Sequence, residues 1–394
     1  MLTIDNHVFL GFRMLTLCNL ITGFWLHTPS SWPRRFLVLI YEFFTICIVI
    51  TSIFIHSLQI SSNEDFFVLI ISMTATLKLT TIFVFAVTLL VQKRSVLKII
   101  CETQNLINTY KFRFHQNTVL QRTSKIITIY FLVPFLFLIV NNFHAMFSMK
   151  MIEMLGTNES NVTSNEKKFF DALIHRDEND QNRDVNNMIL FLFAFSQTFS
   201  LAKSITMSAT FLGLLYFVGE ELRVLRLTLH EAMLTGHVTS YKRIQLVDWL
   251  RYQYRLARLM GQINSVWSYA VAVMFACDTV SICFLCYAVV RVAQYISVIR
   301  VLISYWLLAI LPIFLYCQAG HRLRTQADAL VEATCRCPWL RVTPSLVPGL
   351  HLVALDCSRS FVARGGPFFT LSLEFFASVV GAVLTYLVVL LQIK

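Results

Sequence analysis

The sequence predicts an all-α membrane protein with seven transmembrane helices, its N-terminus cytoplasmic and its C-terminus extracellular. Three observations carry that expectation. The 394 residues are 56% hydrophobic and 14% charged, against roughly 25% charged in a soluble domain. Apolar stretches of the ~20 residues that cross a ~30 Å hydrocarbon core as helix recur along the chain. Lys and Arg gather in alternate connections, which marks those connections as cytoplasmic. The formal net charge of +11 is therefore a topology signal, not a phosphate-binding face.

Residues 1–35 form a cytoplasmic N-terminal segment without a basic leader or small-residue cleavage site, so no signal peptide is expected. Within it Val8–Trp25, interrupted by Arg13 and Asn19, reads as an interfacial or re-entrant helix. Residues 36–317 hold six spans. The first is Phe36–Ile55 and the second Phe66–Val91, with Lys78 near its centre. The connection Gln92–Lys125 is rich in Lys and Arg and so lies inside. Span three, Ile126–Phe147, contains Pro134, which membrane helices tolerate. The following loop, Lys150–Asn186, is external by charge and carries two glycosylation acceptors, Asn158 and Asn161.

Span four, Met188–Val218, is too long for one crossing and is expected to tilt or to run on into the cytoplasm as helix. The connection Gly219–Gly261 is basic and cytoplasmic. Span five is Ile263–Val290, and a tight external turn near Gln294–Ser297 leads to span six, Val298–Cys317. Residues 318–366 are again basic and inside. There Gly320–Arg336 reads as an amphipathic helix, with Ala327, Leu330, Val331 and Thr334 on one face, until Pro338 ends it. Asp278 stands within a span, and an unpaired charge at that depth is costly, so it is expected to pair with Lys78 or Lys203.

The last span, residues 367–394, has polar groups at intervals: Thr370, Ser372, Glu374, Ser378, Thr385, Tyr386 and Gln392. A membrane helix so marked faces protein or water more readily than lipid, which gives the first hint of a pore. Gly381 and Ala382 form a small-residue step for close helix approach. Enzyme, transporter and metal readings find little footing. The sequence has no phosphate-cradling Gly-rich loop, no His-Glu-x-x-His, no Gly-x-Ser-x-Gly and no two halves that resemble each other. Cys335-x-Cys337 has no second pair, so neither metal nor cofactor is expected.

Phe368–Lys394 resembles the last span of insect odorant receptors, above all that of their co-receptor. Phe314-x-x-Cys317-x-x-Gly320-x-Arg322-Leu323, then Val331-Glu332-Ala333, Cys337 and Trp339, is similar to the cytoplasmic region of the same family. The long insertion of the co-receptor between spans four and five is missing, which fits a tuning receptor or a self-sufficient one.

The resemblance implies an odorant-gated, non-selective cation channel in the plasma membrane of olfactory neuron dendrites. The chain would assemble as a homotetramer or with the co-receptor, the seventh helices lining one pore and 318–366 serving as the assembly region. It implies an apolar gate at Val389 and Ile393, with Gln392, Thr385 and Glu374 as candidate lining residues; a structural partnership of Glu374 with a cytoplasmic Arg stays open. A small volatile ligand would sit in the outer half of the bundle. Tyr305 matches a family tyrosine in position, and depth alone selects Met73, Thr76, Phe137, Asn141, His144, Phe191, Phe195 and Ser196. Membrane lipid is the other expected partner. Two alternatives remain: a gustatory receptor of the same superfamily, and a non-conducting receptor or scaffold of reversed topology.

Overall fold

The computed structural model describes residues 66–109, 183–234, 246–291, 296–337 and 344–392, with isolated helical residues between 47 and 57 and between 125 and 129. Seven helices, one 3-10 turn and a two-stranded hairpin make up the longer stretches. In order they are α1 Phe66–Val91, α2 Lys93–Thr109, α3 Arg183–Leu234, α4 Leu246–Arg291, α5 Ile296–Cys335, the turn Pro344–Leu346, α6 Val347–Ser360, β1 Arg364–Gly365, β2 Phe369–Thr370 and α7 Leu373–Gln392. Most of the first and third spans and of the loop Lys150–Asn186, including Asn158 and Asn161, lie outside the described residues, as do the N-terminal helix and Phe137, Asn141, His144, Trp339 and Ile393.

Three of these helices hold stretches long and apolar enough to cross a membrane: Ser72–Val91, Ala202–Leu229 and Leu246–Val289. A shorter apolar stretch, Leu373–Val389, lies in α7. The helix α1 has the limits the sequence predicts for span two. The long span four is likewise one continuous helix, the 52-residue α3. At 1.5 Å per residue it is about 78 Å long, more than twice the thickness of the hydrocarbon core.

Spans five and six also run on past their expected ends. The helix α4 starts at Leu246, 17 residues before the apolar stretch at Ile263 (263 − 246), and α5 merges span six with the amphipathic segment into 40 residues. Pro312 stands inside α5 without ending it, because neighbouring helices re-satisfy the backbone groups a proline frees.

The core runs between α3, α4 and α5. Phe211 meets Trp267 and Tyr316 at ring-centroid distances of 6.1 and 5.3 Å, and all three are buried. Buried Trp249 donates from Nε1 to the Leu225 carbonyl at 3.0 Å, which ties the α4 extension to that of α3. The amphipathic face of α5 is occupied within the chain. Ala327, Leu330 and Thr334 are fully buried, against Leu350, Val353 and Cys357 of α6 in the same core. Intrachain packing thus accounts for the pattern that the sequence had linked with subunit contact.

Candidate functional site: the last helix, its anchor and the Tyr305 cluster

The final apolar run is not helical from its start. Pro367–Ser372 lie in a hairpin and its exit, and α7 begins at Leu373. A left-handed residue, Gly366 at φ 62°, permits the tight turn that pairs Arg364 with Thr370 and Gly365 with Phe369. Ser372 then caps α7, its Oγ accepting from the Phe375 amide at 3.1 Å. Glu374 stands in the first turn, where the helix dipole favours a carboxylate.

Two neighbouring helices hold this hairpin. Asn264 of α4 donates from Nδ2 to the Val362 carbonyl at 2.8 Å and accepts from the Arg364 amide at 3.2 Å. The Gly366 amide donates to the Ser268 carbonyl at 2.8 Å. On the other side Gly320 of α5 lies directly against Leu371. A Cβ at Gly320 would stand 2.6 Å from Leu371 Cβ and would run into the Leu371 carbonyl oxygen. Phe275, Phe369 and Phe375 stack at the same place, with Phe369 and Phe375 parallel at 4.2 Å.

From this anchor α7 packs one face inward and leaves the other bare. Val383 is buried, with Phe375, Phe376, Val379, Val380 and Leu387 half-buried. The opposite face carries Glu374, Ser378, Gly381, Thr385, Val388, Val389 and Gln392, all exposed. At 100° per residue the first four and Gln392 fall on one stripe, with Val388 and Val389 flanking it. Ser378 and Thr385 spend their hydroxyls within the helix, on the carbonyls of Glu374 and Gly381 at 2.9 Å each. Glu374 makes no ion pair among the described residues.

Around Tyr305 the structure brings α1, α4 and α5 together. Ile70, Leu285, Ala288 and Leu302 form one buried cluster with half-buried Tyr305 packed on it. Met73 and Thr76 stand one and two turns along α1 from Ile70, both half-buried; Thr76 Oγ1 donates to the Ser72 carbonyl at 2.7 Å. Phe191, Phe195 and Ser196 are placed in α3. Further along α1, Lys78 Nζ donates to both carboxylate oxygens of Asp278, at 3.0 and 3.2 Å. Of the two lysines the sequence offered, Lys78 is the partner.

A second polar cluster, which the sequence analysis missed, joins α3, α4 and α5 near the hairpin. Glu220 pairs with Arg322 and, at 3.5 Å, with Arg223. The Arg322 guanidinium also lies 5.0 Å over the Tyr216 ring, and Tyr252 donates to Glu221 at 2.7 Å. Its signal was available: Glu220 and Glu221 are adjacent acids in a connection otherwise rich in Arg.

The family described as 7tm odorant receptor matches residues 61–384. Over 146 residues the chain is 29% identical to the odorant receptor coreceptor of Aedes aegypti, a stretch that is 37% of this chain and 30% of that one. It is 27% identical over 152 residues to odorant receptor 2a of Drosophila melanogaster, covering 38% of each. These matches thus span about a third of the length of the curated relatives. The fold is similar to that of the insect olfactory receptor OR5 from Machilis hrabei, with a TM-score of 0.76 at 17% identity, covering 97% of this chain and 98% of that one. The same receptor in complex with eugenol superposes with a TM-score of 0.73 at 18% identity, covering 98% and 99%. Such proteins are receptors, not enzymes, and with a match across most of its length this chain belongs to the 7tm odorant receptor family.

Proposed function

We propose that this chain is a subunit of an odorant-gated, non-selective cation channel of the plasma membrane, with its N-terminus inside and its C-terminus outside. Four subunits, either copies of this chain or a mixture with a coreceptor, surround one pore lined by α7. The observation that carries this reading is the bare stripe of α7. Glu374, Ser378, Gly381, Thr385 and Gln392 are small or polar and exposed in a single chain, opposite the face that packs on α4 and α5. Such a face is costly against lipid and well suited to water and cations.

Val389, on the edge of that stripe, and Ile393 supply the apolar constriction that closes the pore by dewetting. The ligand is a small volatile compound held in the outer bundle near Tyr305, Met73 and Thr76, with Phe191, Phe195, Ser196, Phe137, Asn141 and His144 as further wall candidates. The eugenol complex of the similar Machilis hrabei receptor supports a ligand of this chemical class. Motion of the bundle reaches α7 through the hairpin that Asn264, Ser268 and Gly320 hold.

The test is to express this chain alone and record membrane current under a panel of volatile odorants, eugenol included, then to repeat with a coreceptor. Current from the chain alone marks a self-sufficient channel. Current only with the coreceptor marks a tuning subunit. Absence of current in both would refute the channel reading and leave a non-conducting receptor.

A further inference from the structure

Glu220 and Glu221 sit side by side on α3, each 2% exposed, yet their surroundings differ. Both guanidiniums of the cluster go to Glu220, Arg322 from α5 and Arg223 from its own helix. Glu221 has a neutral partner instead. Its Oε2 accepts from the Tyr252 hydroxyl of α4 at 2.7 Å, and its enclosed Oε1 meets no hydrogen-bond donor among the described residues. No ion pair reaches Glu221 among those residues. The groups that face it are therefore Glu220 and Tyr252, with Arg223 and Arg322 beyond Glu220 and 36% and 39% exposed.

A buried carboxyl without a cation lowers its cost by keeping its proton. Burial, offset in part by the Tyr252 hydrogen bond and reinforced by the Glu220 charge, lifts the Glu221 carboxyl from 4.5 to about 7. That group stands outside the hydrocarbon. The stretch Ala202–Leu229 has 28 residues where ~20 cross the core, and its surplus is the charged end that holds Glu220, Glu221, Arg223 and Arg226. Water on that side of the membrane sets the proton supply. The cluster is also a seam. Tyr252 with Glu221 joins α4 to α3, Arg322 with Glu220 joins α5 to α3, and Arg322 follows Gly320, the contact of Leu371, by two residues.

We infer that Glu221 is a proton-operated latch on this seam. With its proton bound, Glu221 is neutral and α3, α4 and α5 close on one another. Without it, a second carboxylate stands beside Glu220, competes for Arg322 or draws water between α3 and α4, and the seam loosens. The latch rests on the packing of α3, α4 and α5, not on conduction. Its sign follows from the raised value. The folded chain holds the proton more tightly than the unfolded one, so the stabilisation is complete below 4.5 and is lost as pH rises through about 7. Between about pH 6 and about pH 8 the unfolding constant should therefore rise about tenfold.

The intact protein, purified in detergent, is titrated across that range by infrared spectroscopy and, in parallel, unfolded with sodium dodecyl sulfate under circular dichroism. The wild type is expected to lose a protonated-carboxyl C=O band with a midpoint near neutrality and to show the tenfold rise. Glu221→Gln, a permanently neutral isostere, is expected to lack that band and to change its unfolding constant by less than about twofold. Where the Gln variant fails to give a monodisperse peak, Tyr252→Phe takes its place. It removes a hydrogen bond to the ionised form, so the band midpoint is expected to rise. Three results would each overturn the proposal: equal pH slopes in wild type and Glu221→Gln, a band that titrates with ordinary carboxyls below about pH 5, or an unmoved midpoint in Tyr252→Phe.

Discussion

Breaking the Lys78–Asp278 pair should destabilise the bundle more than removing it altogether. Asp278 is 1% exposed and Lys78 17%. At 3.0 Å their attraction is about 5 kcal/mol for an effective dielectric constant near 20, and most of it is offset by withdrawing both charges from water. The net value of the pair is therefore small, while the cost of orphaning one partner is large, about 3–5 kcal/mol. Asp278→Asn leaves a cation between α1 and α4 with only an amide to meet it; Lys78→Met leaves a carboxylate with no cation. Both should lower the midpoint of thermal loss of the monodisperse peak in detergent size-exclusion chromatography. Lys78→Met combined with Asp278→Leu should recover much of that loss, because neither charge then remains. Single variants as stable as the wild type, or a double variant costing the sum of the two singles, would refute this account of the pair.

Three further expectations concern α7 and the region that precedes it. Gly320→Ala must push Leu371 away from α5, an overpacking cost of about 1–3 kcal/mol, and should shift the odorant dose–response curve along with stability; an unchanged curve and midpoint would remove the contact from the path to α7. Glu374→Gln should lower the relative permeability of divalent cations if the carboxylates ring the pore, and identical reversal potentials would place Glu374 outside the conduction path. Burial pushes the Cys357 thiol up to about 12, whereas an ordinary thiol ionises near ~8.5. A raised value keeps the thiol protonated through the usual labelling range, so maleimide should modify exposed Cys335 and spare Cys357 up to about pH 9. Rapid labelling of Cys357 would show that α6 opens away from α5.

What the sequence conveyed follows its physics. Hydrocarbon thickness sets the length of an apolar run, so span two came out as α1, and the cost of an unpaired charge in the bundle pointed Asp278 at a lysine. Helix ends beyond the bilayer are governed by neighbours instead. The continuation of span four and the helix at Gly320–Arg336 were legible, but basic residues made 246–262 read as a connection, whereas α4 already begins at Leu246 because Trp249, Tyr252 and Leu256 carry the same core on along it. The hairpin at 364–370 was hidden for another reason: Pro367, Phe368 and Phe369 are as apolar as the helix that follows, and only the contacts of Asn264, Ser268 and Gly320 distinguish anchor from span. The exposed stripe of α7 was visible as polar spacing, but which way it faced depended on the packing of Val383 and its neighbours.

The way α7 is held has a mechanical consequence. It is gripped at one end, through Gly366, Leu371 and Ser372, and its last turn carries exposed Val388, Val389 and Leu391. Twenty residues of helix make a rigid arm about 30 Å long. Pivoting such an arm by about 5° at the hairpin swings its tip by roughly 2–3 Å, whereas the pivot itself hardly moves. A displacement at Gly320 or Asn264 too small to disturb the packing there is thus multiplied along the arm, and is largest where Val389 stands.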